Sequence, residues 1–315
     1  MNRRNLLFRA GALAAVVGGA WWARDHLLWP APRLSFVDGH ASKWMPYARR
    51  ALVPTIRVRI ADRVVTALID SGAQYSVIDR ALFAELPPAR RSVFDMPLVA
   101  YGVGGGAQMG RGVTLALDMP GVFVEGLRAA ILDLGPLATT AGLSTPVIIG
   151  RDVLGEAVLA LDPARRFSRL IRREAFVRPD DLVAAEVRRN GTALVSEITV
   201  EGSVLEGVVD TGASSLLALD AQSARAAGLY DGRPRTPGAS LVLGGSLRAD
   251  VIEARTVTFA DQLYRQVQVG VFEQPPLPDF PGALIGMEAF AERRVAIDVG
   301  RGELHLSRSL DLTVG

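Results

Sequence analysis

The sequence predicts a mainly β protein made of two similar lobes. Its 315 residues, 49% of them hydrophobic, are enough to form one large packed domain or two of ordinary size. The 32 glycines and 18 prolines are spread along the chain and divide its apolar stretches into pieces of strand length. A segment that begins at residue 58 returns at residue 198, which indicates that both lobes share one architecture.

The residue inventory excludes several classes of protein. The formal net charge is +2, and the arginines form no stripe interleaved with aromatic residues, so we expect no nucleic-acid partner. The chain has no cysteine, and its histidines are scattered at His26, His40 and His305, which excludes the usual Cys/His zinc site and a Cys–His nucleophile. The chemistry must therefore use carboxylates or hydroxyls, and we expect neither metal nor cofactor.

Residues 1–25 are predicted to be an export signal or a membrane anchor. Arg3 and Arg4 precede the apolar stretch 6–23, a pattern that resembles a bacterial twin-arginine signal. A buried core helix is the alternative, but such a helix rarely begins with paired arginines at the chain terminus. The segment therefore predicts a periplasmic protein.

The fate of this segment stays open. Small residues such as Ala20 suit a cleavage site, whereas Trp21 and Trp22 suit the interface of a retained anchor. The protein is expected to be soluble after cleavage, or associated with the inner membrane through residues 6–23.

The internal repeat is the strongest signal in the chain. Residues 58–73, VRIADRVVTALIDSGA, are echoed by residues 198–213, ITVEGSVLEGVVDTGA, at an offset of 140. Each copy reads as a strand, a tight turn and a second strand that runs into Asp-Ser/Thr-Gly-Ala. Each is followed by a glycine cluster and then by an aliphatic segment that ends in glycine. These glycines are Gly104, Gly105, Gly106 and Gly150 in the first copy, and Gly244, Gly245 and Gly286 in the second.

The repeat also divides the chain. It predicts lobes at 51–170 and 191–310, a linker at 26–50 and a connector at 171–190. Short helices are expected after Asp79, over residues 80–86, and after Asp220, over residues 221–229, because aspartate is a good N-cap.

The two Asp-Ser/Thr-Gly motifs point to one carboxylate pair. A single motif is expected about 0.2 times by chance in a chain of this length and can be a plain turn. Two motifs at matched places in a repeat are much harder to assign to chance, so Asp70 and Asp210 are the candidate pair. Two adjacent carboxylates that share a proton supply a general base and a general acid together. Asp162 and Asp298 also recur, but they read as turn residues.

With DSGA at 70–73, DTGA at 210–213 and VIIGRDVL at 147–154, the chain resembles the aspartic protease clan over about residues 51–310. The retroviral type is closest for the first half. The resemblance implies a two-lobed acid-protease fold with a pseudo-twofold axis, flap hairpins and short helices. It further implies a monomeric aspartic endopeptidase that cleaves an extended peptide with Asp70 and Asp210 as catalytic residues.

The resemblance also assigns supporting roles. The glycine clusters would form flaps, the glycine-ended segments would pass behind the aspartates, and the Ser71 and Thr211 hydroxyls would tie the two loops together. The residues expected to support the loops are Ser71, Gly72, Ala73, Thr211, Gly212 and Ala213.

The chain departs from the family pattern at one ion pair. In retroviral-type lobes the arginine after the glycine-ended segment pairs with an aspartate four residues past the catalytic one. Here position 74 is Gln74, so Arg151 needs another partner, and its neighbour Asp152 is the candidate. The second lobe has Met287 in place of the arginine.

Two other functions compete with this interpretation. A non-catalytic peptide-binding envelope protein could keep the cleft without turnover, although such a protein is expected to have lost one aspartate. A Rossmann oxidoreductase is the second alternative, because the glycine-rich region 102–110 resembles a nucleotide-binding loop. Strand-like residues follow this region, however, where a dinucleotide site requires a helix.

Overall fold

The structure, a computed structural model, is mainly β, as the sequence predicts. It describes residues 29–49, 51–90, 92–101, 107–139, 144–242, 245–273 and 282–308. The predicted export segment 1–25 lies outside the described residues. Within the described ranges, no helix has both the length and the apolar character needed to cross a membrane.

The strands of the described residues form three sheets. Those up to the connector are β1 (Arg33–Phe36), β2 (Met45–Pro46), β3 (Thr55–Ile60), β4 (Arg63–Ile69), β5 (Val77–Asp79), β6 (Ser92–Tyr101), β7 (Ala107–Met119), β8 (Val122–Leu132), β9 (Val147–Ile149), β10 (Ala157–Asp162) and β11 (Phe167–Arg172). The others are β12 (Leu182–Ala185), β13 (Arg188–Asn190), β14 (Ala193–Val200), β15 (Ser203–Val209), β16 (Leu217–Asp220), β17 (Arg235–Val242), β18 (Gly245–Phe259), β19 (Gln262–Phe272), β20 (Ala283–Ile285), β21 (Val295–Asp298) and β22 (Glu303–Ser307).

Each lobe contains the same closed ring of six strands. In the first lobe the ring runs β3-β4-β9-β5-β8-β7 and back to β3, and in the second it runs β14-β15-β20-β16-β19-β18 and back to β14. In both rings the glycine-ended strand lies parallel to the strand that precedes the aspartate, β9 beside β4 and β20 beside β15. The repeat in the sequence is therefore a repeat of topology.

The third sheet joins the lobes. Its order is β12-β22-β21-β10-β11-β2, and its central pair is β10 of the first lobe with β21 of the second. These strands run antiparallel with Ala160 opposite Ala296, and these two residues occupy equivalent places in the repeat. The pseudo-twofold axis passes through this pair.

Strand alternation explains how the rings fill with apolar side chains. In β3 the side chains of Ile56, Val58 and Ile60 are buried, whereas Arg57 and Arg59 between them are exposed. Successive side chains of a strand point to opposite faces, so this pattern places one face of the strand in the core. One large apolar cluster is built from residues of both lobes.

The two predicted N-caps lie at helix starts. Asp79 accepts a hydrogen bond from the N–H of Ala81 (2.9 Å), and Asp220 accepts one from Ser223 (2.6 Å). Both helices are shorter than the sequence suggests. In the described residues the α-helices are Arg80–Glu85, Pro136–Thr139, Arg151–Leu154 and Ala221–Ala226, and the 3-10 turns are Pro88–Arg90, Arg173–Ala175 and Met287–Phe290.

The strands that flank each glycine cluster in the sequence pair antiparallel, β6 with β7 in the first lobe and β17 with β18 in the second. Gly245 begins β18. The other predicted flap glycines, Gly104, Gly105, Gly106 and Gly244, lie outside the described residues.

The segments drawn as linker and connector take part in the sheets. Within residues 26–50, β1 pairs with β8 and β2 pairs with β11, so this segment extends two of the three sheets. Within residues 171–190, β12 lies at an edge of the joining sheet and β13 pairs with β14. The lobes are thus held together by strands on both sides of the joining sheet.

Candidate active site

Asp70 and Asp210 stand at equivalent positions, each directly after a ring strand. Asp70 follows β4 and its N–H donates to the carbonyl of Ile149 (2.9 Å), while Asp210 follows β15 and donates to Ile285 (2.9 Å). The neighbouring parallel strand therefore fixes the main chain at both aspartates.

The two loops bring the carboxyl groups together. A β-carbon added to Gly72 would lie 2.7 Å from the carboxyl carbon of Asp210, and one added to Gly212 would lie 2.7 Å from that of Asp70. Each carboxyl group is therefore packed against the other loop's glycine, where no side chain would fit. The two carboxyl groups are also within hydrogen-bonding reach of each other.

Main-chain N–H groups hold both carboxylates. One oxygen of Asp70 accepts hydrogen bonds from Gly72 (2.7 Å) and Ala73 (3.0 Å). Asp210 accepts one from Gly212 (2.8 Å), while the N–H of Ala213 is directed to the main-chain carbonyl of Asp210 (3.3 Å). The two halves of the pair are thus similar without being identical.

The hydroxyl groups of Ser71 and Thr211 cross from loop to loop. Thr211 Oγ1 accepts from the N–H of Ser71 (2.9 Å) and donates to the carbonyl of Ile69 (2.8 Å). Ser71 Oγ accepts from the N–H of Thr211 (3.0 Å) and donates to Val209 (2.8 Å). Both side chains are buried, so these four hydrogen bonds lock the loops to each other in a dry setting.

Gly150 and Gly286 lie behind the two loops. A β-carbon at Gly150 would come within 2.7 Å of the main chain of Tyr75, and one at Gly286 would collide with the carbonyl oxygen of Ser215. Only glycine leaves room for this close approach. The residue after each glycine then donates its N–H to the loop, Arg151 to Ala73 (2.9 Å) and Met287 to Ala213 (2.8 Å).

The electrostatic environment of the carboxyl pair favours a state in which the two groups share one proton. Burial raises the pKa of Asp210 well above its usual value, and the charge of Asp70 and a hydrogen bond to it raise it further. The N–H of Gly212 and the Arg151 guanidinium act in the opposite direction. Two carboxyl groups in this arrangement can hold one acid and one base side by side.

Comparison with protein families agrees with this geometry. A family model described as aspartyl protease matches residues 56–153 and again residues 196–289, together more than half of the chain. The chain belongs to the aspartyl protease family. Each match falls within one lobe and contains one of the two aspartates. A search of curated proteins found no match.

In this aspartyl protease the expected Arg151–Asp152 pairing is wrong. Asp152 instead accepts hydrogen bonds from the N–H (2.9 Å) and hydroxyl (2.7 Å) of Ser76. Glu288, the equivalent of Asp152 in the second lobe, accepts from the N–H of Leu216 (3.1 Å). These carboxylates stabilise the C-terminal end of each aspartate loop.

Arg151 turns towards the Asp70 loop. Its Nη1 donates to the carbonyls of Ser71 (3.0 Å) and Gly72 (3.1 Å), and its Nε donates to Thr192 Oγ1 in the second lobe (3.0 Å). Sequence reasoning missed this contact. The signal for it was the missing carboxylate at Gln74, which shows that the arginine must bind elsewhere but does not show where.

The other recurring aspartates lie in turns. Asp162 accepts from the N–H of Arg165 (3.0 Å) and Asp298 from that of Arg301 (2.9 Å). Asp298 is buried and also pairs with Arg173 (3.1 Å), so it helps to fasten the connector.

Other kinds of site are not evident in the part of the chain that the structure describes. No cluster of three or more metal-ligating side chains occurs there. A cavity of about 500 Å³ in the first lobe is lined by residues such as Tyr47, Arg57 and Thr66, but neither Asp70 nor Asp210 lines it. The carboxyl pair is therefore the feature on which a function can be built.

Proposed function

We propose that this protein is an aspartic endopeptidase in which Asp70 and Asp210 are the catalytic residues. The observation that carries the proposal is the packing of each carboxyl group against the glycine of the other's loop. Membership of the aspartyl protease family supports the reaction class.

The pair performs hydrolysis with a water molecule as nucleophile. The ionised carboxylate takes a proton from the water as its oxygen attacks the peptide carbonyl carbon, and the protonated carboxyl gives its proton to the carbonyl oxygen. The carboxyl group that took the proton from water then gives it to the amide nitrogen, the C–N bond breaks, and the other carboxylate takes a proton from a hydroxyl of the tetrahedral carbon, which leaves a carboxylic acid, an amine and a pair with one proton. The hydrogen bonds from Gly72, Ala73 and Gly212 hold the carboxylates in position, which keeps the cost of reorganisation low.

The substrate is an extended peptide of a periplasmic protein. The hairpins β6–β7 and β17–β18, one from each lobe, present long strands with which an extended chain can form main-chain hydrogen bonds. We further propose that the protein acts as a monomer, since one chain carries both halves of the pair. Titration with a tight-binding transition-state analogue should give one site per chain, and half a site per chain would indicate a shared dimeric site.

The location is part of the same proposal. Residues 1–25 direct the protein to the periplasm, where it is soluble or held at the inner membrane through residues 6–23. Fusion of residues 1–25 to a reporter that is active only after export tests this, with Arg3→Lys/Arg4→Lys as the control for the twin-arginine route.

Proteolysis can be tested with the full chain. The wild type and Asp70→Asn are incubated with a denatured protein mixture over a range of pH, and new termini are identified by mass spectrometry. The proposal expects new termini with the wild type alone. A wild type that binds peptides without cleaving them at any pH would instead support the non-catalytic peptide-binding protein.

A further inference from the structure

The two halves of the carboxyl pair differ in the residue that follows the glycine-ended strand. In the first lobe this residue is Arg151, and in the second it is the buried apolar Met287. The Arg151 guanidinium holds the carbonyls of Ser71 and Gly72, the two residues directly after Asp70. Among the described hydrogen bonds, the second loop has no side chain that binds the two matching carbonyls.

The same guanidinium crosses to the other lobe. Its Nε donates to the hydroxyl of Thr192, in the turn between β13 and β14. A planar guanidinium offers several N–H donors in a fixed plane, so one side chain can bind two loop carbonyls and a partner from the other lobe together. Arg151 thus binds the Asp70 loop, and Met287 makes no such contact with the Asp210 loop.

Asp70 also receives more main-chain hydrogen bonds than Asp210. Asp70 receives two main-chain N–H donors, from Gly72 and Ala73, whereas Asp210 receives one, from Gly212. Donors that bind a carboxylate favour its ionised form. Asp210 is also the more deeply buried of the two, and burial disfavours its charge.

The charges near the pair are few in the ranges that the structure describes. Asp70, Asp210 and the Arg151 guanidinium interact electrostatically with one another. Arg151 also interacts electrostatically with Asp152 and Tyr75, but the Asp152 carboxylate accepts a hydrogen bond from Ser76. Burial lowers the pKa of Arg151, and the carboxylates of Asp70 and Asp210 offset this effect, Asp70 more strongly.

We propose that Arg151 is a positioning residue that makes the carboxyl pair unequal, so that Asp70 is the ionised partner and Asp210 the protonated one before catalysis. The inference rests on the proposed aspartic proteolysis. It assigns the two proton transfers to named residues: Asp70 accepts the proton of the attacking water, and Asp210 donates its proton to the carbonyl oxygen of the peptide.

Three variants separate the charge of Arg151 from its hydrogen bonds. Arg151→Met removes both, Arg151→Gln keeps an N–H donor without charge, and Arg151→Lys keeps the charge without the planar donor group. A cation within hydrogen-bonding range of the loop lowers carboxyl pKa values, so its loss should move both limbs of the kcat/KM pH profile upward by about 1 pH unit. We expect this shift in Arg151→Met and Arg151→Gln, whereas Arg151→Lys should keep the wild-type profile with a lower kcat.

Arg166→Met is the matched control. Arg166 also donates to loop carbonyls, those of Ala48 (2.6 Å) and Ala51 (2.9 Å), but these carbonyls do not belong to either aspartate loop. Its loss should lower stability and leave the pH profile in place. If Arg151→Met and Arg151→Gln lose rate with the wild-type profile, Arg151 has a structural role only and the proposal is wrong.

A second measurement needs no turnover. The ¹³C shifts of the aspartate carboxyl carbons report protonation directly, and Asp70→Asn and Asp210→Asn assign the two signals in the wild type. We expect the Asp70 signal to be that of an ionised group at a pH where the Asp210 signal is still that of a protonated group. The reverse order in the wild type would overturn the assignment even if no neutral Arg151 variant folds. A wild type that cleaves nothing but shows the expected order would count against the proposed function alone.

Discussion

Ser71 and Thr211 exchange hydrogen bonds across the pseudo-twofold axis, because each hydroxyl accepts from the N–H of the other residue. Each hydroxyl also donates to a carbonyl of the other loop, Ser71 to Val209 and Thr211 to Ile69. The two aspartate loops are therefore one hydrogen-bonded unit, although they are 140 residues apart. The packing of the carboxyl pair depends on this unit.

Removal of one crossing hydroxyl should weaken the junction of the lobes. Thr211→Val keeps the shape of the side chain but leaves the buried N–H of Ser71 and the carbonyl of Ile69 without that partner. Each unsatisfied buried group costs about 1–3 kcal/mol, so urea unfolding should show a loss of at least about 2 kcal/mol. The control is Ser203→Ala, a less buried hydroxyl that donates to one carbonyl and should change stability by less than about 1 kcal/mol. Equal losses in both variants would contradict this view of the junction.

The loop glycines should tolerate no side chain. Gly72→Ala and Gly212→Ala each place a methyl group 2.7 Å from the carboxyl carbon of the opposite aspartate. The carboxyl groups must then move apart, so proteolysis should fall by at least about 100-fold, the usual contribution of positioned acid–base catalysis. Gly270→Ala is the control, because nothing lies within 4 Å of its added methyl group. Near wild-type activity in Gly72→Ala would show that the close packing is not required.

The two aspartates should act as one unit in kinetics. Asp70→Asn and Asp210→Asn should each lower kcat by at least about 100-fold, because either change removes the shared proton. The double variant should be no slower than the slower single variant, since groups that act together are not additive. Circular dichroism checks that the variants stay folded. Additive losses in the double variant would indicate two independent roles.

Much of this fold follows from local patterns. Residues 58–73 and 198–213 show strand, turn and strand in each copy, and that pattern predicts both the mainly β class and the two lobes. The N-caps Asp79 and Asp220 are equally local signals, because the capping side chain binds an N–H only two or three residues away.

Other features depend on partners far away in the chain. The strands Arg33–Phe36 and Met45–Pro46 are too short to show a period of their own, and they form because β8 and β11 offer them edges. The position of Arg151 depends on Thr192 and on the loop carbonyls. Main-chain carbonyls carry no sequence signature, so a motif could show only that the usual carboxylate partner is missing.

The protein's stability should depend on pH through Asp210. Its pKa is raised in the folded state, so the folded state binds the proton more tightly than the unfolded chain does. The stabilisation is present in full below the unfolded value near 4 and is lost as pH rises through the folded value. Asp210→Asn removes this loss, so the free energy of unfolding of the variant minus that of the wild type should increase as pH rises above about 4. The total increase is about 1.4 kcal/mol for each pH unit by which the folded pKa of Asp210 exceeds the unfolded pKa. Urea unfolding at several pH values measures this, with the exposed Glu197→Gln as control; a constant difference would contradict it.

The activity should extend towards neutral pH. The working state of the pair has one proton, and burial of Asp210 raises the pKa at which that proton is lost. Ala213, just after the second motif, has no hydroxyl to donate to the ionised carboxylate, so it does nothing to reverse this effect. Ala213→Thr adds such a donor and should move the alkaline limb of kcat/KM to lower pH, because hydrogen bonds to the charged form lower a carboxyl pKa. Ala213→Val has the same shape without the hydroxyl and should leave the limb in place. A strongly acidic optimum in the wild type, or an alkaline shift in Ala213→Thr alone, would mean that burial does not control the proton of this pair.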